Sequence, residues 1–160
     1  GKRMKHLVVL SILLMFTTLA EAKPAFTGQN YSGVYTCTGS NDFIGDYKVK
    51  VTLKLNRISS YGKLGAYFYE METENSASYN GHAIADGNRL SLTLQTSDRR
   101  SADSSIGYAT MKKDTKGRWT FRKNYYEPND NGGTNGTEFC VLELSLVNPK
   151  RPKGSTPDLP

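Results

Sequence analysis

Three glutamates at alternating positions are the first residues that could perform chemistry together. Glu70, Glu72 and Glu74 fall in a strand-like stretch, so their side chains share one face with neighbours about 7 Å apart. Inverting glycosidases use two carboxyl groups at about that separation. The same alternation is typical of a solvent-facing strand, which is the interpretation it favours. A hydrolase using Glu70, Glu72 or Glu127 is the alternative, and it requires two carboxylates that converge in a cleft.

Other catalytic arrangements have little support in the sequence. His82 is the single histidine after residue 22, and the chain has no Gly-x-Ser-x-Gly motif for a serine hydrolase. His82 therefore reads as an ordinary strand histidine, and a site with several histidines is excluded within one chain. We predict no catalytic residues and a protein that is not an enzyme.

The segment 127–138 has the spacing of a calcium-binding loop. Counting Glu127 as position 1 places Asn129 at position 3 and Asn131 at position 5. Gly132 then falls at position 6 and Glu138 at position 12, as in an EF-hand loop. The flanks resemble strands rather than helices, so a Gly/Asn-rich hairpin loop is the favoured interpretation. Calcium is kept as a weak candidate, and no other cofactor is expected.

Tyrosine is abundant, with ten in the chain. In a barrel, a tyrosine ring can fill the interior while its hydroxyl reaches a partner, or it can line a cavity for a ligand. Structural packing is the simpler of the two interpretations. The aromatic residues that could line the interior are Tyr67, Tyr69, Tyr79, Tyr108, Trp119 and Tyr125.

The elements that must position these residues are β-strands. In the clearest one, over 46–57, Val49, Val51 and Leu53 alternate with lysines and other polar residues. Turn residues recur between such stretches, for example at 86–88. The predicted strands cover 31–38, 46–57, 64–73, 78–85, 89–96, 106–113, 118–126 and 137–147.

Eight sequential strands joined mostly by short turns predict an all-β fold, an eight-stranded antiparallel up-and-down barrel. Closure of the sheet pairs the first strand with the last and removes both exposed edges. Cys37 lies in the first strand and Cys140 in the eighth, so they are neighbours only if the sheet closes. One disulfide between them is the simplest state of an exported protein, and two free thiols are the alternative.

The N-terminal residues have the pattern of a secretory signal. Basic residues at positions 2, 3 and 5 precede an apolar run over 7–19, and small residues follow at Ala20 and Ala22. A transmembrane anchor is the alternative, but the run forms a helix of only about 20 Å against a hydrocarbon core of about 30 Å. We predict cleavage after Ala22 and a periplasmic or secreted protein without a membrane span.

The rest of the chain is one domain by its length. It divides into a flexible lead-in over 23–30, the barrel over 31–147, and a disordered, basic, proline-rich tail over 148–160. The formal charge of +6 includes the basic residues of the signal, and the remaining basic residues are scattered. Nucleic-acid binding is therefore not expected.

Gly33-Val34-Tyr35 stands where the calycin barrels, the lipocalins and avidins, carry a Gly-x-Trp motif in their first strand. With the order of strands, this triplet makes the chain resemble that group in architecture over about 31–147. The resemblance implies a barrel that binds a small ligand inside, or one that inhibits another protein through its loops.

The expected function is an exported binding module that holds a small ligand in, or a protein partner at, the open end of the barrel. Its contact loops would be 96–105, with Arg99 and Arg100, and 127–136. A ligand carrier requires an interior cavity, whereas an inhibitor requires a filled barrel and a protruding loop. A structural surface-interaction protein without a deep site is a further alternative, and it requires a packed interior and an exposed apolar patch.

Overall fold

The computed structural model describes residues 21–96, 104–128 and 132–148. The predicted signal and the tail beyond position 148 lie outside the described residues, apart from Glu21 and Ala22. A short 3₁₀ turn at Arg57–Ser59 follows the second strand. The strands are β1 Gly33–Asn41, β2 Gly45–Leu55, β3 Leu64–Thr73, β4 Ser78–Asp86, β5 Arg89–Thr96, β6 Ser104–Lys113, β7 Trp119–Glu127 and β8 Thr134–Ser145.

The eight strands form a closed antiparallel barrel in sequence order. Each strand pairs with the next, and β8 pairs with β1 in a register that sets Cys37 opposite Cys140. The two sulfurs form a disulfide. The predicted fold class is therefore confirmed, including the disulfide that joins the first and last strands.

The predicted strand boundaries differ from the observed ones by up to three residues. The largest differences are at β1, which ends at Asn41, and at β8, which begins at Thr134. In both cases the β1–β8 ladder continues to the pair Asn41 and Gly136, although glycine and asparagine have low strand propensity.

Alternation along the strands separates the interior of the barrel from its outer surface. On β2, Val49, Val51 and Leu53 are buried while Lys50 and Lys54 are exposed. The inward residues of all eight strands form one continuous apolar core, which includes the disulfide. This is the arrangement that a half-buried antiparallel sheet requires.

One end of the barrel is closed by the chain that precedes β1. The Tyr31 ring packs edge-on against Trp119 with 4.9 Å between the ring centroids. The Tyr31 hydroxyl donates to the Gly87 carbonyl at 2.9 Å, across the base of the barrel. Further back, Phe26 pairs with Gly62 and the Thr27 amide donates to the Gly62 carbonyl at 2.8 Å. The lead-in is thus attached to the base at several points.

The opposite end carries the connections β1–β2, β3–β4, β5–β6 and β7–β8, because the strands alternate in direction. The described residues that flank the two predicted contact loops, Thr96 and Ser104 for 96–105 and Glu127 and Thr134 for 127–136, therefore lie at this end. Among the described residues, no helix has the length and apolar character of a membrane span.

Candidate functional site

A cavity of about 290 Å³ opens at this loop-bearing end, and we call it the cup. Its walls include the apolar side chains of Val49, Met71 and Leu94. Below them the barrel is filled by buried residues such as Tyr69 and Phe121. The interior is therefore packed near the closed base and hollow near the loops.

Two oppositely charged residues form the floor of the cup. Lys123 on β7 and Glu138 on β8 are directly opposite in the ladder, and both point inward. The Lys123 Nζ lies 2.7 Å from the Glu138 Oε2, and the side chains are only 1% and 2% exposed. Removing two charges from water is costly, so the pair is stable only if hydrogen bonds satisfy its remaining atoms.

A chain of hydrogen bonds connects this pair to the rim. The Asn41 Nδ2 donates to the Tyr125 hydroxyl at 3.0 Å, and the Tyr125 and Tyr47 hydroxyls are 2.7 Å apart. The Tyr47 hydroxyl donates to the Glu138 Oε1 at 2.8 Å. Because Tyr47 has one hydroxyl hydrogen, which goes to Glu138, Tyr125 must be the donor between the two tyrosines.

The Lys123 ammonium has further partners on the inner side of the barrel. It donates to the Tyr69 hydroxyl at 3.3 Å. It also lies 5.3 Å from the centroid of the Tyr69 ring and 5.2 Å from that of Tyr125. Both distances are within 6 Å of a ring centroid, so the charge is surrounded by a carboxylate, a hydroxyl and two aromatic rings.

The tyrosines of the network stay protonated at neutral pH. Burial raises the pKa of Tyr47 far above its ordinary value, and the neighbouring Glu138 carboxylate raises it further. Burial likewise raises the pKa of Tyr69, with a further contribution from Glu138, and burial raises the pKa of Tyr125. An ionised phenol here would lack solvent and would face a carboxylate, so the hydroxyls act as neutral donors and acceptors.

Two inward-facing glycines make room for the tyrosine rings. A Cβ at Gly39 would overlap the ring of Tyr47, and a Cβ at Gly136 would overlap the ring of Tyr125. The missing side chains on β1 and β8 thus allow both rings to lie flat against the barrel wall. Without these glycines, the two hydroxyls could not keep the positions that link Asn41 to Glu138.

The predicted aromatic residues separate into three groups. Tyr69, Tyr79 and Tyr125 lie in or beside the cup, and Tyr67 and Trp119 lie toward the closed base. Tyr108 instead points outward and is 64% exposed. The correction has a simple cause: the inward positions of β6 are the buried Gly107, Ala109 and Met111, which alternate with Tyr108.

The predicted glutamates lie at two different places in the barrel. Glu70 and Glu72 are exposed on the outside of β3, as expected for a solvent-facing strand. Glu74 and Glu127 lie at the mouth of the cup. His82 is exposed on the outer face of β4, where its ring is 5.8 Å from that of Phe68.

The proposed calcium loop is only partly described. Asn129 and Asn131 lie outside the described residues, as do Arg99 and Arg100 of the other contact loop. Glu138, position 12 of the loop, is buried against Lys123 and accepts from Tyr47. To bind calcium, it would have to leave both partners.

Of the described acidic, histidine and cysteine residues, one group is compact enough for a metal, namely Glu138 with Cys37 and Cys140. Its two sulfurs are bonded to each other, so neither is a thiolate ligand.

Lys123 is not among the residues predicted from the sequence. Two signals point to it. The disulfide requires Cys140 to point into the barrel. Glu138, two residues earlier on the same strand, therefore points inward as well. On β7, Lys123 falls between Phe121 and Tyr125, both of which are buried. A lysine at an inward position implies an anionic partner, and Glu138 is opposite it.

A second concave region lies on the outer face and differs in character from the cup. It is a shallow depression of about 770 Å³, bordered by Ile106, Tyr108 and Tyr126, all of which are exposed. The cup is smaller but is lined by the buried ion pair and its hydrogen bonds. We therefore place the candidate site in the cup.

No family model matches the chain, and no curated protein matches it significantly.

Proposed function

We propose that the protein is an exported binding module that holds a small ligand in the cup. One observation carries this proposal: a cavity whose floor is a buried Lys123–Glu138 pair connected by hydrogen bonds to the rim. Ligand sites usually combine apolar walls with a few fixed polar groups, and the cup has both. Its volume of about 290 Å³ suits a ligand at or below the lower end of the usual range.

The open cavity lies inside the barrel, which supports ligand binding there over inhibition through the loops. An inhibitor requires a filled barrel, whereas here a cavity of about 290 Å³ opens at the loop-bearing end. The glutamates predicted for a hydrolase do not converge in a cleft, because Glu70 and Glu72 face solvent on β3 and, of the three, Glu127 alone lies at the mouth of the cup. We propose that the cup binds without catalysis.

Export and a calycin-like architecture belong to the same proposal. A disulfide across the β1–β8 seam is typical of proteins in an oxidising compartment, in line with the predicted signal sequence. Tyr35, at the position of the calycin tryptophan, is fully buried and contacts Phe121 with 5.1 Å between ring centroids. Its role as a packed aromatic in β1 supports the resemblance.

Native mass spectrometry of the protein isolated from its own host tests the proposal. We expect a fraction of the protein to carry one additional small molecule. Met71 lines the cup, so Met71→Trp should fill it and remove the added mass. Ile84→Trp, on the outer face of β4, is the matched control and should retain it. Retention by the Met71 variant, or the absence of any added mass, would contradict binding in the cup.

A further inference from the structure

A strip of uncharged side chains crosses the outer face of the barrel over β5, β6, β7, β8 and β1. We call it the uncharged strip. It consists of two neighbouring rows of outward residues, all of which line the shallow depression of about 770 Å³. The longer row crosses five adjacent strands over an arc of about 19 Å. The members are Ser91, Tyr108, Asn124, Thr137 and Ser40 in the longer row and Ile106, Tyr126 and Asn135 in the row nearer the loops.

The uncharged strip differs from the outer face of β2 and β3, which is rich in charged residues. There Lys50 is opposite Glu72, and Glu70 and Lys54 are also exposed. Among the described residues that line the depression, Asp42 at its β1 end is the one charged residue. A charged ligand is recognised by groups of opposite charge, and a phosphate backbone needs lysine or arginine. The uncharged strip therefore suits a neutral ligand.

The polar side chains of the uncharged strip are not used by the fold. None of their hydroxyl or amide groups is hydrogen-bonded to another residue in the part of the chain that the structure describes. Elsewhere on the outer face of β1, by contrast, the Thr36 hydroxyl donates to the Glu143 Oε2 at 2.6 Å. Hydroxyl and amide groups both donate and accept. They are thus matched to a ligand that carries many hydroxyl groups.

Two exposed tyrosines stand among these polar groups. Tyr108 is 64% exposed and Tyr126 is 40% exposed, and they are diagonal neighbours on β6 and β7, about 7–8 Å apart. A Cβ at Gly133 would overlap the Tyr126 ring, so the glycine lets this ring lie against the β7–β8 turn. A tyrosine that is already held in place loses little conformational entropy on binding. The negative face of an aromatic ring attracts the polarised C–H groups of a sugar ring.

From these observations we infer that the uncharged strip binds a neutral glycan chain. Its C–H faces stack on Tyr108 and Tyr126, and its hydroxyl groups exchange hydrogen bonds with Asn124 and Thr137. At the β1 end, the Asp42 carboxylate accepts from further hydroxyl groups. A protein partner would require a contiguous apolar core, and Asn124 interrupts the apolar side chains here. The site lies outside the barrel and does not depend on binding in the cup.

A glycan array probed with the fluorescently labelled, disulfide-bonded protein tests the inference. The array carries neutral, acidic and amino-sugar oligosaccharides. We expect binding to neutral oligosaccharides that does not require a sulfate, carboxylate or amino group. Titration calorimetry with the neutral oligosaccharide that binds most strongly then gives the affinity. No binding to any neutral glycan, or binding to charged glycans alone, would overturn the inference.

Substitutions locate the binding. Tyr108→Leu keeps an apolar side chain but removes the ring, so the affinity should fall about tenfold, whereas Tyr108→Phe keeps the ring and should retain most of it. Phe68→Leu, at an exposed aromatic residue on β3, is the matched control and should leave the affinity unchanged. Met71→Trp should also leave it unchanged, which separates this site from the cup. Full affinity in Tyr108→Leu would contradict the inference, as would a dimer in analytical ultracentrifugation that Tyr108→Leu dissociates.

Discussion

The buried pair of Lys123 and Glu138 permits a quantitative prediction about stability. At 2.7 Å and an effective dielectric constant of about 20, two unit charges attract by about 6 kcal/mol. Desolvation of the two groups consumes several kcal/mol of that attraction. Replacing one partner removes the attraction and leaves the other charge buried. We therefore expect Lys123→Met to lower the free energy of unfolding by about 3–5 kcal/mol.

Urea unfolding with the disulfide intact measures this loss, because the midpoint and slope together give the free energy. Glu138→Gln provides a second value, since it retains an acceptor for Tyr47 but leaves Lys123 without its anion. The two variants together keep the experiment informative if one of them does not fold.

Lys50→Met is the matched control. Lys50 also pairs with a glutamate, Glu143 at 3.8 Å, but these side chains are 60% and 52% exposed. A surface pair of this kind contributes about 0–1 kcal/mol, so its loss should be small. If Lys123→Met and Glu138→Gln each cost no more than Lys50→Met, the reasoning from burial is refuted.

Three further predictions concern the disulfide, the tyrosines and the cup glycines. The double variant Cys37→Ala/Cys140→Ala should lose up to about 4.7 kcal/mol in urea unfolding, because the bond closes a loop with a sequence separation of 103. Burial raises the pKa of Tyr67 to about 12 from 10.0, so its contribution to stability is complete below pH 10 and falls as pH rises toward 12. Melting temperatures across that range should therefore decrease, and less steeply in Tyr67→Phe. Gly136→Ala should displace the Tyr125 ring, cost about 1–3 kcal/mol by overpacking in urea unfolding and lower the fraction of protein that carries a small molecule in native mass spectrometry.

The barrel was predictable because several local signals agree. Alternation in β2 identifies a half-buried strand without reference to any other residue. Cys37 and Cys140 add a long-range constraint that local patterns lack, since only closure brings β1 and β8 together. One such constraint was enough to select a closed barrel over an open sheet.

The cup was less predictable, because its polar residues do not follow the usual alternation of apolar and polar positions. Lys123 occupies an inward position that the pattern assigns to an apolar residue, and its partner Glu138 is 15 positions away. Their contact depends on which residues of β7 and β8 lie opposite each other. That register follows from the length of the β7–β8 loop, which the sequence pattern alone does not delimit. Tyr108 is the opposite case. Its aromatic side chain suggests burial, but Tyr108 alternates with the buried residues of β6 and therefore points outward.

The position of the Lys123–Glu138 pair indicates a role beyond stability. Elsewhere the barrel fills its interior with apolar side chains, and a well-packed apolar replacement of a buried ion pair is often neutral or stabilising by about 1–4 kcal/mol. Stability alone therefore does not account for Lys123 and Glu138. Their place at the floor of the cup does, because Glu138 fixes the direction of the Tyr47 and Tyr125 hydroxyl hydrogens in the cup lining. The double variant Lys123→Met/Glu138→Leu should accordingly unfold at a urea concentration close to that of the unaltered protein and yet carry less of the co-purifying small molecule in native mass spectrometry; an unchanged bound fraction would show that the pair serves only the fold.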